Sequence, residues 1–165
     1  MPIQLLRVDE RLIHGQVVVG WGTVLHPDQI VVVDDDLAAS EWEQELYTLG
    51  LPPDITAAFV TVSDARERFR VWDNGAPRVI VLTRDIVTMA RFAAGGTLAG
   101  RDVNLGGIHY APGRMELLPY LFLNDAERDA LEHLVVEGAR PSAQDMPGSR
   151  RISAERLLAD EELAP

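Results

Sequence analysis

The sequence contains no cysteine. Disulfides, thiolate nucleophiles and sulfur-ligated metals are excluded together by that absence. Lysine is missing too: all 15 residues counted as lysine plus arginine are arginines. A Walker-type phosphate loop needs its lysine, a Schiff-base enzyme needs the amine, and a response-regulator receiver needs a lysine beside its aspartates. Apolar runs are short, and the N-terminus lacks the basic, apolar and small-residue sections of an export signal, so a cytoplasmic protein is expected. Basic charge is scarce: 26 acidic residues leave a formal net charge of −11. That balance supplies no clustered basic face, and no nucleic-acid partner is expected. Arginine remains available for small anions, because its planar fork of donors matches phosphate.

What is present has the composition of a compact domain, with 47% hydrophobic and 25% charged residues, and a single domain over residues 1–165 is expected. Residues 3–8 read as a strand, 9–14 as a polar loop and 16–25 as a mostly apolar helix. The β-branched run at residues 30–33 suits a strand buried on both faces. A helix carrying Ala38, Trp42, Leu46 and Leu49 at helical spacing should follow, closed by Gly50, Pro52 and Pro53. Residues 57–62 read as a strand, Ser63 as the N-cap of an arginine-rich helix to about Trp72, and Asn74 with Gly75 as a turn. Residues 79–82 form the next strand, and Ile86, Ala90, Ala93 and Ala94 the apolar side of a helix ended by Gly95 and Gly96.

Beyond Gly100 the units shorten. A strand at 103–105, a tight turn at Gly106 and Gly107, and an extended apolar piece at 117–123 interrupted by Pro119 are expected. Asn124 and Glu127 make a capping box for a helix with Ala126, Ala130, Leu131, Leu134 and Val135 facing inward. A final strand at 140–145, a loop at 146–151 and a short helix capped by Ser153 precede an acidic tail. Alternating helices and continuously apolar strands predict an α/β fold, with an open, mainly parallel sheet covered on both faces. Ligands of such sheets bind beyond the carboxyl ends of the strands.

The segment leaving the first strand is Asp9-Glu10-Arg11-Leu12-Ile13-His14-Gly15-Gln16. His14 stands where a helix begins, and a phosphoryl group on its ring would meet helix-start N–H groups and the favourable end of the helix dipole. Imidazole is largely neutral at cytoplasmic pH and keeps a lone pair, so it can accept a phosphoryl group and pass it on. Arg11 can fork onto the same oxygens, Gly15 lets the backbone come close, Gln16 is a neutral donor, and Asp9 can orient the ring or its loop. Asp34, Asp35 and Asp36 have the chemistry for Mg²⁺, but helix capping accounts for them more simply. His26, His109 and His133 lack the spacing of a zinc pair, so no metal is expected. His109, close behind Gly106 and Gly107, reads as a loop histidine that can line the same rim as His14. Neither a nucleophile elbow nor a dinucleotide fingerprint is present.

The stretch Arg7-Val8-Asp9-Glu10-Arg11-Leu12-Ile13-His14-Gly15-Gln16-Val17 resembles the active-site signature of IIB components in the mannose-fructose-sorbose class of bacterial phosphotransferase systems. The commoner form has Asp where Glu10 stands. The resemblance extends to the aspartates after the second strand, to Asn104-Leu105-Gly106-Gly107, and to the late helix with its turn and strand. It implies a three-layer α/β/α sandwich whose mainly parallel sheet has an antiparallel edge. It also implies that His14, through the ring nitrogen nearer the backbone, takes a phosphoryl group from a IIA partner for a sugar at membrane IIC and IID subunits. No cofactor is implied, and the protein would work at the inner face of the membrane. Pro147-Gly148-Ser149-Arg150-Arg151 departs from the family's Pro-Thr-Asp-like segment. Two other readings are a regulatory IIB-like phosphorelay protein and a non-enzymatic nucleotide-binding module.

Overall fold

A computed structural model describes residues 2–159; the acidic tail lies outside the described residues. The first strand, β1 (Ile3–Val8), is followed by a π-helical segment (Gln16–Trp21) that continues as α1 (Gly22–Leu25). Then come β2 (Gln29–Val33), α2 (Asp35–Ala38), α3 (Glu41–Thr48), β3 (Thr56–Val60), α4 (Val62–Asn74), β4 (Val79–Thr83) and α5 (Ile86–Ala93). The last third holds β5 (Asp102–Leu105), β6 (Met115–Leu118), β7 (Leu121–Leu123), α6 (Asp125–Val136), β8 (Arg140–Ala143), β9 (Ile152–Ser153) and α7 (Ala154–Leu158).

Among the described residues one seven-stranded sheet runs in the order β3-β2-β4-β1-β5-β8-β9. Its pairs are parallel up to β8, and β9 closes the edge antiparallel to β8. The mainly parallel sheet with an antiparallel edge is thus borne out. Alternating side chains of the apolar strands feed two cores. Val31 and Val33 join one cluster with Phe69, Trp72, Met89, Phe92, Leu131 and Leu134, which α4, α5 and α6 contribute. Ile30 and Val32 join the other with Leu12, Ile13, Val17 and Leu37. Continuous hydrophobicity in β2 is the consequence of both faces being covered.

Chain order around the sheet decides where the site lies. From β1 the chain crosses to β2 and β3, returns to β4 between β2 and β1, and then passes to β5 on the far side of β1. β1 is thus flanked at its carboxyl end by the ends of β4 and β5, the crevice position for ligands in sheets of this kind.

Several local expectations are corrected. The helix carrying Ala38 to Leu49 is two short helices, because Asp34 caps α2 and the chain restarts at Ser40. Its apolar stripe is not a core face: Trp42, Leu46 and Leu49 are 66%, 58% and 81% exposed. Gln44 and Tyr47 face inward instead, Gln44 donating to the carbonyls of Leu37 and Ala38 and Tyr47 packing on the second core. The N-cap of α4 is Thr61, whose hydroxyl accepts from Asp64 N–H, while Ser63 lies inside the helix. Gly106 and Gly107 do not turn the chain; they prolong the pairing with β1, Gly106 N–H donating to Val8 and Gly107 accepting from Glu10 N–H. Residues 117–123 belong to an antiparallel hairpin, β6 with β7, in which Pro119 falls between the strands. The capping box at Asn124 and Glu127 is borne out, as is the Ser153 cap of α7. Ala126 and Val135 are exposed rather than inward, since α6 buries Glu127, Ala130, Leu131 and Leu134. The strand expected at 140–145 stops at Ala143, and β9 follows it.

Candidate active site

Residues 9–14 leave β1 as a tight loop. Asp9 N–H donates to the Thr83 carbonyl of β4, Glu10 N–H to Gly107 beyond β5, and Leu12 N–H returns to the Asp9 carbonyl. The Asp9 carboxylate also accepts from Arg11 N–H at 3.1 Å, which tightens the turn from the side-chain end. Leu12 has φ 55°, a left-handed conformation that costs a non-glycine residue about 1 kcal/mol or more. Its fully buried side chain in the second core holds it there.

His14 follows at the mouth, its side chain 15% exposed. Nδ1 lies 2.9 Å from the Leu12 carbonyl, which only accepts, so this nitrogen carries the proton. Nε2 is buried without a hydrogen bond and stands 3.7 Å from Asp9 Oδ2. Gln16 Oε1 is likewise a buried polar atom without a partner among the described residues. Gly15 is exposed, and a Cβ there would meet nothing within 4 Å, so the helix start is open to an approaching group. The π-helical form of the segment that follows is frequent at functional sites. Arg11 is exposed, and its guanidinium has no partner among the described residues. Asp9, Arg11, His14, Gly15 and Gln16 therefore share one loop and helix start.

Beneath this loop lies a buried network that reading the sequence did not find. Arg7 and Asp9 are both fully buried and paired, Nε and Nη2 donating to Asp9 Oδ2 at 3.2 and 2.9 Å. Arg7 Nη1 donates to Asn104 Oδ1 and, at 3.0 Å, to the Gln144 carbonyl. The Trp21 ring lies 5.4 Å from the guanidinium carbon. Burial pushes the Arg7 pKa down, and Asp9 opposes the shift by attraction and hydrogen bonding. Gly106 is the glycine this arrangement requires, since a Cβ there would stand 2.2 Å from Arg7 Nη2. Gln144 in turn donates to the carbonyls of Pro147 and Ser149, so the loop after β8 hangs on the same network. A local signal existed: one charge inside an apolar strand, two residues from an aspartate and so on the same strand face, needs a buried partner.

A second network ties the loop to the hairpin. Glu10 Oε1 is 3.0 Å from His109 Nδ1, and Arg114 Nη1 donates to Glu10 Oε2 at 3.3 Å. Arg114 also forks onto the buried Glu127 at 2.9 and 3.1 Å. Burial works against the Arg114 charge, but Glu127 and then Glu10 outweigh it and raise its pKa. His109 is thus joined to the site loop through Glu10. Two of the three aspartates after β2 act in structure: Asp34 caps α2 and pairs with Arg84, and Asp35 accepts from Val62 N–H and pairs with Arg91, while Asp36 is exposed. Among the described residues no group of three or more His, Cys, Asp or Glu side chains could hold a metal ion. No helix among them is long and apolar enough to cross a membrane.

Fold and site define a class: an open α/β/α domain that presents a histidine loop and a free arginine at the carboxyl end of its first strand. Residues 3–164 match the family model for the PTS system sorbose subfamily IIB component. The chain is 27% identical over 151 residues to N-acetylgalactosamine-specific phosphotransferase enzyme IIB component 1 of Escherichia coli strain K12, covering 90% of this chain and 94% of that one. It is 31% identical over 141 residues to the mannose-specific EIIAB component of the same strain, covering 84% of this chain but only 42% of that longer protein. The crystal structure of manxB from Thermoanaerobacter tengcongensis superposes with a TM-score of 0.81 at 29% identity, covering 94% of each chain. The chain belongs to the sorbose subfamily of IIB components, and is a phosphotransfer component of a sugar phosphotransferase system.

Proposed function

We propose that His14 is the phosphoryl carrier of this IIB component, with Arg11 and the helix-start N–H groups at Gly15 and Gln16 receiving the phosphoryl oxygens. The observation that carries this reading is a part-buried imidazole at the sheet mouth, one residue before an open helix start and three residues after an unpaired guanidinium. Phosphoryl transfer asks little covalent chemistry of the protein; catalysis is positioning and neutralisation of charge on the equatorial oxygens. In the first transfer the lone pair of a His14 ring nitrogen attacks phosphorus in line, and the bond to the donor histidine of a IIA protein breaks. In the second, a sugar hydroxyl attacks the same phosphorus and the bond to His14 breaks.

For the ring nitrogen nearer the backbone to be the nucleophile, Nδ1 must give up its contact with the Leu12 carbonyl and move its proton to Nε2. Asp9 then faces an Nε2–H it can accept. Asp9 supports the ring and loop, and its own charge is matched by Arg7 rather than turned on the incoming phosphate. No metal or organic cofactor takes part in this scheme. The partners are a IIA phosphodonor and membrane IIC and IID subunits that hold the sugar, which places the protein in the cytoplasm at the inner face of the membrane. Incubation with a phosphorylated IIA partner tests the reading. Acid-labile, base-stable phosphate should map to His14 and vanish in His14→Ala; label on another residue overturns it.

A further inference from the structure

We propose that His109 is a second imidazole of the phosphoryl site, donating Nε2–H to an oxygen of the phosphoryl group while His14 carries it. The inference rests on His14 being the carrier and adds a group to that site.

The backbone around His109 is pinned on both sides. Ile108 N–H donates to Tyr120, Phe122 N–H donates to Ile108, and the His109 carbonyl accepts from Arg114 at 2.8 Å. Its ring is held by Glu10 Oε1, 3.0 Å from Nδ1. A carboxylate only accepts, so Nδ1 carries a proton, and the Cε1–Nε2 edge that continues the ring from it is left unbonded by Glu10. That edge has no hydrogen-bond partner among the described residues, and the side chain is 48% exposed.

Gly107 shows what the free edge faces. A Cβ on Gly107 would stand 3.2 Å from His109 Cε1, 3.6 Å from His109 Nε2 and 3.7 Å from Asp9 Oδ1. The His109 edge and the Asp9 carboxylate thus flank one residue without a side chain, and the other Asp9 oxygen is 3.7 Å from His14 Nε2. Charge accounting points the same way. Arg7 is committed to Asp9, and Arg114 to Glu127 and Glu10. In a chain without lysine, Arg11 and the unbonded Nε2 of His109 are donors that these pairs leave open at this rim among the described residues. The charged groups facing His109 are Glu10 from the site loop, Asp9 across Gly107, and Arg114 at its carbonyl, itself backed by Glu127 of α6.

With Nδ1–H on Glu10, Nε2 donates only when the ring is cationic. His109 therefore assists only in its cationic form, whereas His14 must be neutral to attack. Full-length wild type, His109→Gln and His109→Ala are incubated with potassium phosphoramidate. The His14 ring nitrogen forms the new N–P bond, the phosphoramidate P–N bond breaks, ammonia leaves with the proton, and His109 keeps its own. Initial rates between pH 5.5 and 8.5 are compared as ratios to wild type, so the reagent's own titration cancels, and label is mapped by mass spectrometry.

His109→Ala should slow labelling of His14 by about tenfold at pH 6, below the hundredfold or more of a buried oxyanion donor because this ring is half exposed. The deficit should shrink toward pH 8.5, and Gln, which keeps a neutral donor, should restore part of the rate with a flatter profile. Ratios near one and independent of pH, with label on His14, overturn the role of His109 alone. A deficit of equal size at every pH also overturns it, because it would mark a structural loss. Label mapping away from His14 in the wild type overturns the carrier assignment instead.

Discussion

Replacing Arg7 with methionine is the sharpest test of the network under the site loop. Methionine keeps much of the volume and removes all of the charge. The change strands a fully buried Asp9 carboxylate and leaves the Asn104 side-chain oxygen and the Gln144 carbonyl without their donor. Breaking one partner out of a buried ion pair costs about 3–5 kcal/mol, mostly the penalty of the uncompensated charge. With a urea m value of about 2 kcal/mol per molar, the unfolding midpoint should fall by about 1.5–2.5 M. An internal control is the pair of Arg140 with Asp102, whose side chains are 68% and 62% exposed. Arg140→Met should cost no more than about 1 kcal/mol and shift the midpoint by about 0.5 M or less. Adding Asp9→Asn to Arg7→Met should recover part of the loss, since the stranded charge is then gone. Urea titrations followed by tryptophan fluorescence measure all four proteins. An Arg7→Met midpoint no lower than that of Arg140→Met would refute the reasoning.

Arg11→Lys should retain slow phosphoryl transfer, because charge survives and the planar fork does not; transfer at the wild-type rate would remove Arg11 from its role. Gly106→Ala forces a Cβ into the space of the Arg7 guanidinium and should cost about 1–3 kcal/mol or more in the same urea assay, an unchanged midpoint being the contrary result. Asn124→Ala removes the acceptor for Glu127 N–H at the start of α6 and should cost about 1 kcal/mol, measured as a midpoint shift. Asp35 has its pKa held below the usual carboxylate range by Val62 N–H and then by Arg91, so its contribution is present above the unfolded value of about 3.9 and is lost as pH falls through the lower folded value. Wild type and Asp35→Asn should therefore differ in midpoint at pH 6, and the gap should narrow as pH falls below the unfolded value of about 3.9; a gap of constant size would sink the assignment.

Read one residue at a time, the chain disclosed the parallel strands, most helices and the caps at Asn124 and Ser153, because these rest on β-branched runs, periodicity and side-chain to backbone bonds a few residues apart, but not the β6–β7 hairpin or β9. It also disclosed the loop of Asp9, Arg11 and His14, whose members are neighbours in sequence. Periodicity did not say which stripe of α3 is covered. Trp42, Leu46 and Leu49 are spaced as a core face, yet the elements that would bury them are not opposite them. Nor did the sequence tell which distant groups meet. Arg7 finds Asn104 and Gln144 at separations of 97 and 137 residues, and Glu10 finds His109 at 99. Those meetings exist because β5 and β8 fall beside β1 in the sheet, and strand order follows from burial of both faces rather than from any local preference. Sequence alone singled out the proposed nucleophile, His14, and the kind of chemistry open to an imidazole; tertiary structure decided which charges are matched beneath it and which remain free.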